Sequence, residues 1–235
     1  MGKLIAIRHG QSTWNAENRF TGWVDVDLSE KGVKEAEKSG KLLKDLNISL
    51  DIFFTSYLKR AINTLEIVLE VLGSKLQYTK AWELNERHYG QLTGLNKDEM
   101  KKKYGEDIIF KFRRSWDLPP DPLSKNNPYH PINIETYNNV PREKLPDTES
   151  LKDTYDRVIE YYIKNIKKRL DKNILIAAHG NSIRALCKYL FKIDNEEVSK
   201  LEIPTGNPLL ITFSDNKIQQ AKYLDSSRAK DLIKF

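Results

Sequence analysis

The chain has one cysteine in 235 residues, Cys187, so neither an intramolecular disulfide framework nor a thiolate metal cluster can be built from it. Its apolar helical neighbours Ala185, Leu186 and Leu190 make it read as a small buried residue. Long apolar runs are missing as well, and none approaches the roughly 20 residues needed to cross a bilayer. The opening Met1-Gly2-Lys3 leads directly into a strand-like stretch, without the apolar core of a secretory signal. A cytoplasmic protein that does not engage a membrane is the expectation. Charge of one sign is not dominant either, because the formal net charge is only +6. Most lysines, such as Lys31, Lys34, Lys38, Lys164 and Lys167, are spread over helical stretches and do not alternate with aromatics as a single-strand nucleic-acid platform would require. No nucleic-acid partner is therefore expected.

Hydrophobic residues make up 39% and charged residues 31%, which favours a packed globule over disorder. Two short apolar runs, Lys3 to Ile7 and Asn173 to Ala178, read as buried strands, and Asp51 to Thr55 as a third. Helical spacing follows the cap candidate Ser29 (Val33, Ala36, Leu43, Leu46) and recurs at Ala61, Leu65, Val68 and Leu72. A third long helix is expected after Thr148, with Leu151, Tyr155, Val158, Tyr162, Ile166 and Leu170 on one stripe. This alternation predicts a single three-layer α/β domain over residues 1–235, with a mainly parallel central sheet flanked by helices. Residues 117–147 carry seven prolines with little periodicity and read as a long loop, better explained as a lid or insertion than as a linker. The tail 225–235 yields no element and is open to being mobile.

The first and last of these strands in the chain end alike, as Arg8-His9-Gly10 and as Ala178-His179-Gly180-Asn181. Ligands of open parallel sheets sit beyond the carboxyl ends of the strands, so both imidazoles are expected at one crevice. Glycine after each histidine lets the backbone turn and approach an anion, and Ser12, Thr13 and Asn15 add donors. One histidine after a strand is commonly a packed side chain; two in matching contexts, one preceded by Arg8, favour chemistry. Metal is the competing reading, but neither histidine has a cysteine or acid beside it, so no metal is expected. Arg8 and Arg60, the latter near the end of the Phe53-Phe54-Thr55-Ser56 strand, are guanidinium clamps suited to a transferring phosphoryl group. Trp82 to Gly90 gathers an acid, a base and a phenol into a non-periodic loop. Glu86 there is either a general acid and base or one half of a structural ion pair.

These motifs resemble the cofactor-dependent phosphoglycerate mutases of the histidine phosphatase superfamily. The resemblance is carried in order by Arg8-His9-Gly10-Gln11-Ser12-Thr13-Trp14-Asn15, Phe20-Thr21-Gly22-Trp23, Leu58-Lys59-Arg60-Ala61, Leu84-Asn85-Glu86-Arg87-His88-Tyr89-Gly90 and Gly94-Leu95-Asn96-Lys97. Arg113-Arg114, Ala178-His179-Gly180-Asn181-Ser182 and Ile203-Pro204-Thr205-Gly206 complete it. It implies a phosphorylated His9, with Arg8, Arg60 and His179 around the transferring group and Glu86 as acid and base. It also implies substrate contacts from Ser12, Asn15, Thr21, Gly22, Arg87, His88, Tyr89, Lys97, Arg113, Arg114, Gly180 and Asn181. The substrates implied are 3- and 2-phosphoglycerate, the cofactor is 2,3-bisphosphoglycerate without a metal, and a homodimer or homotetramer is open. Ser12 stands where related bisphosphoglycerate synthases tend to have glycine. A phosphatase of the same superfamily would share the four central residues, but it would not need Lys97, Arg113 and Arg114 to clamp a carboxylate.

Overall fold

Side chains alternate between two cores along the central strands, because successive residues of a strand point to opposite faces. In the computed structural model, which describes residues 2–75 and 77–229, β1 (Gly2–Arg8) sends Leu4 and Ala6 to one face and Ile5 and Ile7 to the other. β4 (Asn173–Ala178) does the same with Ile174 and Ile176 against Leu175 and Ala177. The first core is closed by α6 (Leu151–Tyr161) and α7 (Gly180–Phe191), through Val158, Ile183 and Leu186 among others. The second is closed by α2 (Glu30–Asp45) and α3 (Lys59–Leu72), through Leu43, Leu65 and Val68. The result is the expected three layers.

The sheet has six strands in the order β3-β2-β4-β1-β5-β6, where β2 is Ile52–Thr55, β3 Thr79–Lys80, β5 Leu209–Ser214 and β6 Lys217–Tyr223. Strands β1 to β4 pair in parallel; β5 runs antiparallel to β1 and β6 antiparallel to β5. Asp215 and Asn216, with φ of 50° and 60°, turn the β5-β6 hairpin, as the right-handed twist of its strands requires. Parallel pairing of β4 with β1 and β2 aligns their carboxyl ends along one edge, where His9, Ser56 and His179 follow directly.

One expectation is corrected. The helix after Thr148 is α-helical only to Tyr161, then passes through a π turn at Tyr162–Ile166 and a 3-10 turn at Lys167–Arg169. Three successive steps of four residues, from Val158 to Leu170, outrun an α-helix of 3.6 residues per turn, and the wide π turn keeps Tyr162, Ile166 and Leu170 buried. Residues 117–147 lack long elements, as a loop should, but are compact. They form short 3-10 turns at Pro131–Asn133, Glu135–Tyr137 and Arg142–Lys144, bury Leu123, His130, Tyr137 and Val140, and hold Trp23 O through Tyr137 Oη at 2.7 Å. Of the tail, Asp225 is buried and caps a turn at Ser226–Arg228, while residues 230–235 lie outside the described residues. Short helices α1 (Thr13–Ala16), α4 (Lys97–Tyr104), α5 (Glu106–Arg114) and α8 (Glu197–Lys200) complete the chain.

Candidate active site

His9 and His179 meet beyond the ends of β1 and β4 with ring centroids 5.0 Å apart and planes tilted by 58°. Both are buried. His9 Nδ1 lies 2.6 Å from Gly10 O. A carbonyl only accepts, so Nδ1 carries the proton and Nε2 keeps its lone pair. Burial, and then the charges of Arg60 and Arg8, hold the His9 pKa well below the ordinary histidine value, so the ring is neutral at physiological pH. His179 is likewise held low, by burial first and Arg60 second, and its Nε2 contacts Ser56 Oγ at 2.7 Å.

The cations around this pair are fixed by backbone carbonyls. Arg60 is fully buried and donates through Nη1 to Val24 O at 2.9 Å and through Nη2 to Gly22 O at 2.8 Å. Gly22 has φ of +57°, the left-handed conformation that a side chain would strain, which explains glycine at that carbonyl. Arg8 Nη1 donates to Ile203 O at 2.8 Å, while its Nε is buried without a protein partner. Arg8 also shares a cleft of about 540 Å³ with Arg114, Arg184 and Thr205.

Glu86 reaches the same centre from the loop after β3. Its Oε1 accepts from Arg87 N at 2.8 Å and from Asn181 N, in the first turn of α7, at 3.2 Å. Both donors on the carboxylate are main-chain amides. A Cβ built on Gly180 would stand 3.6 Å from Glu86 Oε2 and 3.5 Å from Arg8 Nε, so carboxylate and guanidinium flank that glycine. Gly10 serves differently from expectation: a Cβ there would lie 2.2 Å from Gly32 O, so its small size lets the loop pack on α2.

Asn181 Nδ2 donates to Tyr89 Oη at 3.1 Å. Lys97 lies where burial, then Arg113 and Arg8, push its pKa down to about 8. Arg114 is lowered by burial and by Arg113, and its Nη1 donates to Leu201 O. These couplings bring Lys97, Arg113 and Arg114 to the same cationic wall as Arg8. Thr21 Oγ1 and Arg87 Nε and Nη1 are further buried groups without protein partners. Such groups are what an anionic ligand would satisfy. Three expected contacts also have protein partners, although His88 Nε2 is itself buried without one. Ser12 caps α1 by accepting from Asn15 N, while Asn15 Oδ1 accepts from Ser12 N. His88 Nδ1 accepts from Gly90 N beside the His130 ring, and burial with His130 pushes its pKa down to about 3. Arg87 Nη2 donates to Phe112 O.

Sequence reasoning missed Ser56, Arg184, Glu149 and Arg157. Ser56 had the same signal as the histidines, since it also follows a strand end; Arg184 repeats one turn after Gly180, where it bonds Asn181 Oδ1 at 2.5 Å. Nothing in the local pattern marks Glu149 or Arg157. Among the described residues, no group of three or more His, Cys, Asp or Glu side chains could hold a metal ion.

Paired imidazoles, guanidinium groups and one carboxylate thus meet at the edge of a parallel sheet, and the chain belongs to the histidine phosphatase superfamily, whose branch 1 family model matches residues 4–226. It is 62% identical over 238 residues, covering all of both chains, to the 2,3-bisphosphoglycerate-dependent phosphoglycerate mutase of Pelagibacter ubique (strain HTCC1062). The enzyme of that name from Maricaulis maris (strain MCS10) is 50% identical over 237 residues, 99% of this chain and 98% of the relative. A phosphoglycerate mutase structure from Bacillus anthracis str. Sterne shares the fold with a TM-score of 0.66 at 24% identity, over 92% of this chain and 90% of that one.

Proposed function

We infer that this chain is a 2,3-bisphosphoglycerate-dependent phosphoglycerate mutase, interconverting 3- and 2-phosphoglycerate through a phosphohistidine on His9. The observation that carries this reading is the His9 ring itself: neutral, with Nδ1–H held by Gly10 O and Nε2 free beside His179 and two arginines.

The buried, unpartnered Arg8 Nε and Thr21 Oγ1 fit a phosphorylated ligand, and bound 2,3-bisphosphoglycerate would supply the phosphoryl group that loads His9. His9 Nε2 attacks phosphorus as the bond from phosphorus to the ester oxygen breaks. Arg8, Arg60 and His179 stabilise charge on the equatorial oxygens. Glu86, from the carboxyl side of that centre, protonates the departing oxygen. When a monophosphoglycerate then binds, Glu86 takes the proton from its one free hydroxyl, whose oxygen attacks the phosphohistidine, frees His9 and forms the bisphosphate; return of the other phosphoryl group to His9 leaves the isomeric monophosphate. Lys97, Arg113 and Arg114 hold the substrate carboxylate and orient either hydroxyl toward phosphorus. Asn15, Gly22, Tyr89, Gly180 and Asn181 complete the walls.

A phosphatase would use the same centre with water as acceptor, and water needs no carboxylate clamp. The cationic wall of Lys97, Arg113 and Arg114 favours the mutase. Residues 117–147, packed beside the site, serve as the lid that excludes water. The enzyme's expected place is the cytoplasm, acting on free phosphoglycerates as a homodimer or homotetramer. No helix among the described residues is long and apolar enough to cross a membrane.

The test is conversion of 3- to 2-phosphoglycerate with and without 2,3-bisphosphoglycerate, in the presence of a chelator. Turnover that needs the bisphosphate and ignores the chelator is expected. Turnover indifferent to the bisphosphate, or abolished by the chelator, would overturn the reading.

A further inference from the structure

Arg157, on α6, is almost fully buried behind the loop that carries Glu86, and each of its five N–H groups has a partner. Nε donates to Glu149 Oε1 at 2.7 Å and Nη2 to Glu149 Oε2 at 2.9 Å. Nη1 donates to Glu83 O at 2.6 Å and Asn85 O at 3.0 Å, and Nη2 also donates to Glu86 O at 3.0 Å. Glu149 in turn accepts from His88 N at 2.8 Å. The pair therefore grips the loop on both sides of Glu86 through main-chain atoms. The guanidinium also lies 5.4 Å from the Trp23 ring, next to Gly22, whose carbonyl orients Arg60.

We propose that Arg157, oriented by Glu149, is a positioning residue that sets the Glu86 carboxylate against the transferring phosphoryl group. A bare ion pair needs no such arrangement, because charge neutralisation alone would be met by the two Glu149 contacts. The remaining three donors of the planar fork fit three carbonyls of one irregular loop, a match an ammonium with three donors on a flexible stem cannot reproduce. Glu86 itself stays free of Arg157 and has only main-chain donors, Arg87 N and Asn181 N, on its carboxylate. Its place is thus set by where the loop backbone lies relative to α7, and that is what Arg157 fixes.

This proposal rests on the reading of Glu86 as the proton carrier, and the test separates the two. Arg157→Lys keeps a cation for the buried Glu149 and is compared with the parent in two backgrounds, native and Glu86→Gln, well below the unfolding temperature. A misplacement of the order of an ångström costs about ten- to hundredfold in rate, so kcat should fall by that much in the native background while KM moves little. In the Glu86→Gln background the same substitution should change kcat by less than about twofold, as expected when both act through one group. An unchanged kcat, or an equal loss in both backgrounds, would overturn the proposal. Full activity of Glu86→Gln alone would overturn the proton-carrier reading and this proposal with it. Should Arg157→Lys fail to fold, Glu149→Gln, which keeps the shape of the acceptor, carries the same comparison with the same outcomes.

Discussion

Arg60 Nη2 donates to the carbonyl of Gly22 at 2.8 Å, and that bond ties a fully buried cation of the site to a loop residue held in the left-handed region. The guanidinium is thereby aimed before any ligand arrives, and its burial lowers its pKa to about 10. Electrostatic stabilisation without reorganisation depends on such prior orientation.

Arg60→Lys should therefore be far from conservative. Lysine cannot hold Val24 O and Gly22 O in a fixed fork, and an ammonium in that buried place loses its proton more readily than a guanidinium. Loss of one charge-assisted bond corresponds to about 1.5–3 kcal/mol, so kcat/KM should fall by about tenfold or more. Steady-state kinetics of the purified variant would check this, and a native kcat/KM would remove Arg60 from the transferring group.

Glu86→Gln keeps the size of the side chain and its acceptor oxygen but cannot exchange a proton. General acid-base catalysis contributes about 10²–10⁴-fold, so kcat should fall within that range with KM nearly unchanged. A change confined to KM would make Glu86 a binding residue only.

Lys97 gives the site a pH dependence. Burial, with Arg113 and Arg8 nearby, brings its pKa down to about 8 in the free enzyme. Below that pH the lysine is charged and attracts the anionic substrate; above it the neutral amine does not, and binding must be accompanied by proton uptake. KM should rise as pH passes upward through about 8, and the rise should vanish in Lys97→Arg, whose charge persists across that range. A KM that is flat from pH 7 to 9 in the native enzyme would contradict this.

The parts legible in the sequence are those set by periodicity and by strand ends. Alternation of apolar runs with helical stripes gave the three layers, because each strand of a parallel sheet is buried on both faces and each helix on one. The matching His-Gly ends of β1 and β4 were legible because parallel pairing aligns carboxyl ends. The β5-β6 hairpin carried a signal at Asp215-Asn216 that was passed over. Arg157 and Glu149 carried none: only tertiary packing turns Arg157 toward main-chain carbonyls 71 to 74 residues away in the chain and Glu149 toward the His88 amide. The compactness of residues 117–147 was hidden for a related reason, since proline-rich 3-10 turns have no long period to detect.

The most direct measurement is the site of covalent labelling by 2,3-bisphosphoglycerate carrying a radioactive phosphoryl group. The account predicts an acid-labile, base-stable label on the peptide containing His9, lost in His9→Ala together with turnover. A label that survives in His9→Ala, or that maps to another residue of the native enzyme, would contradict it.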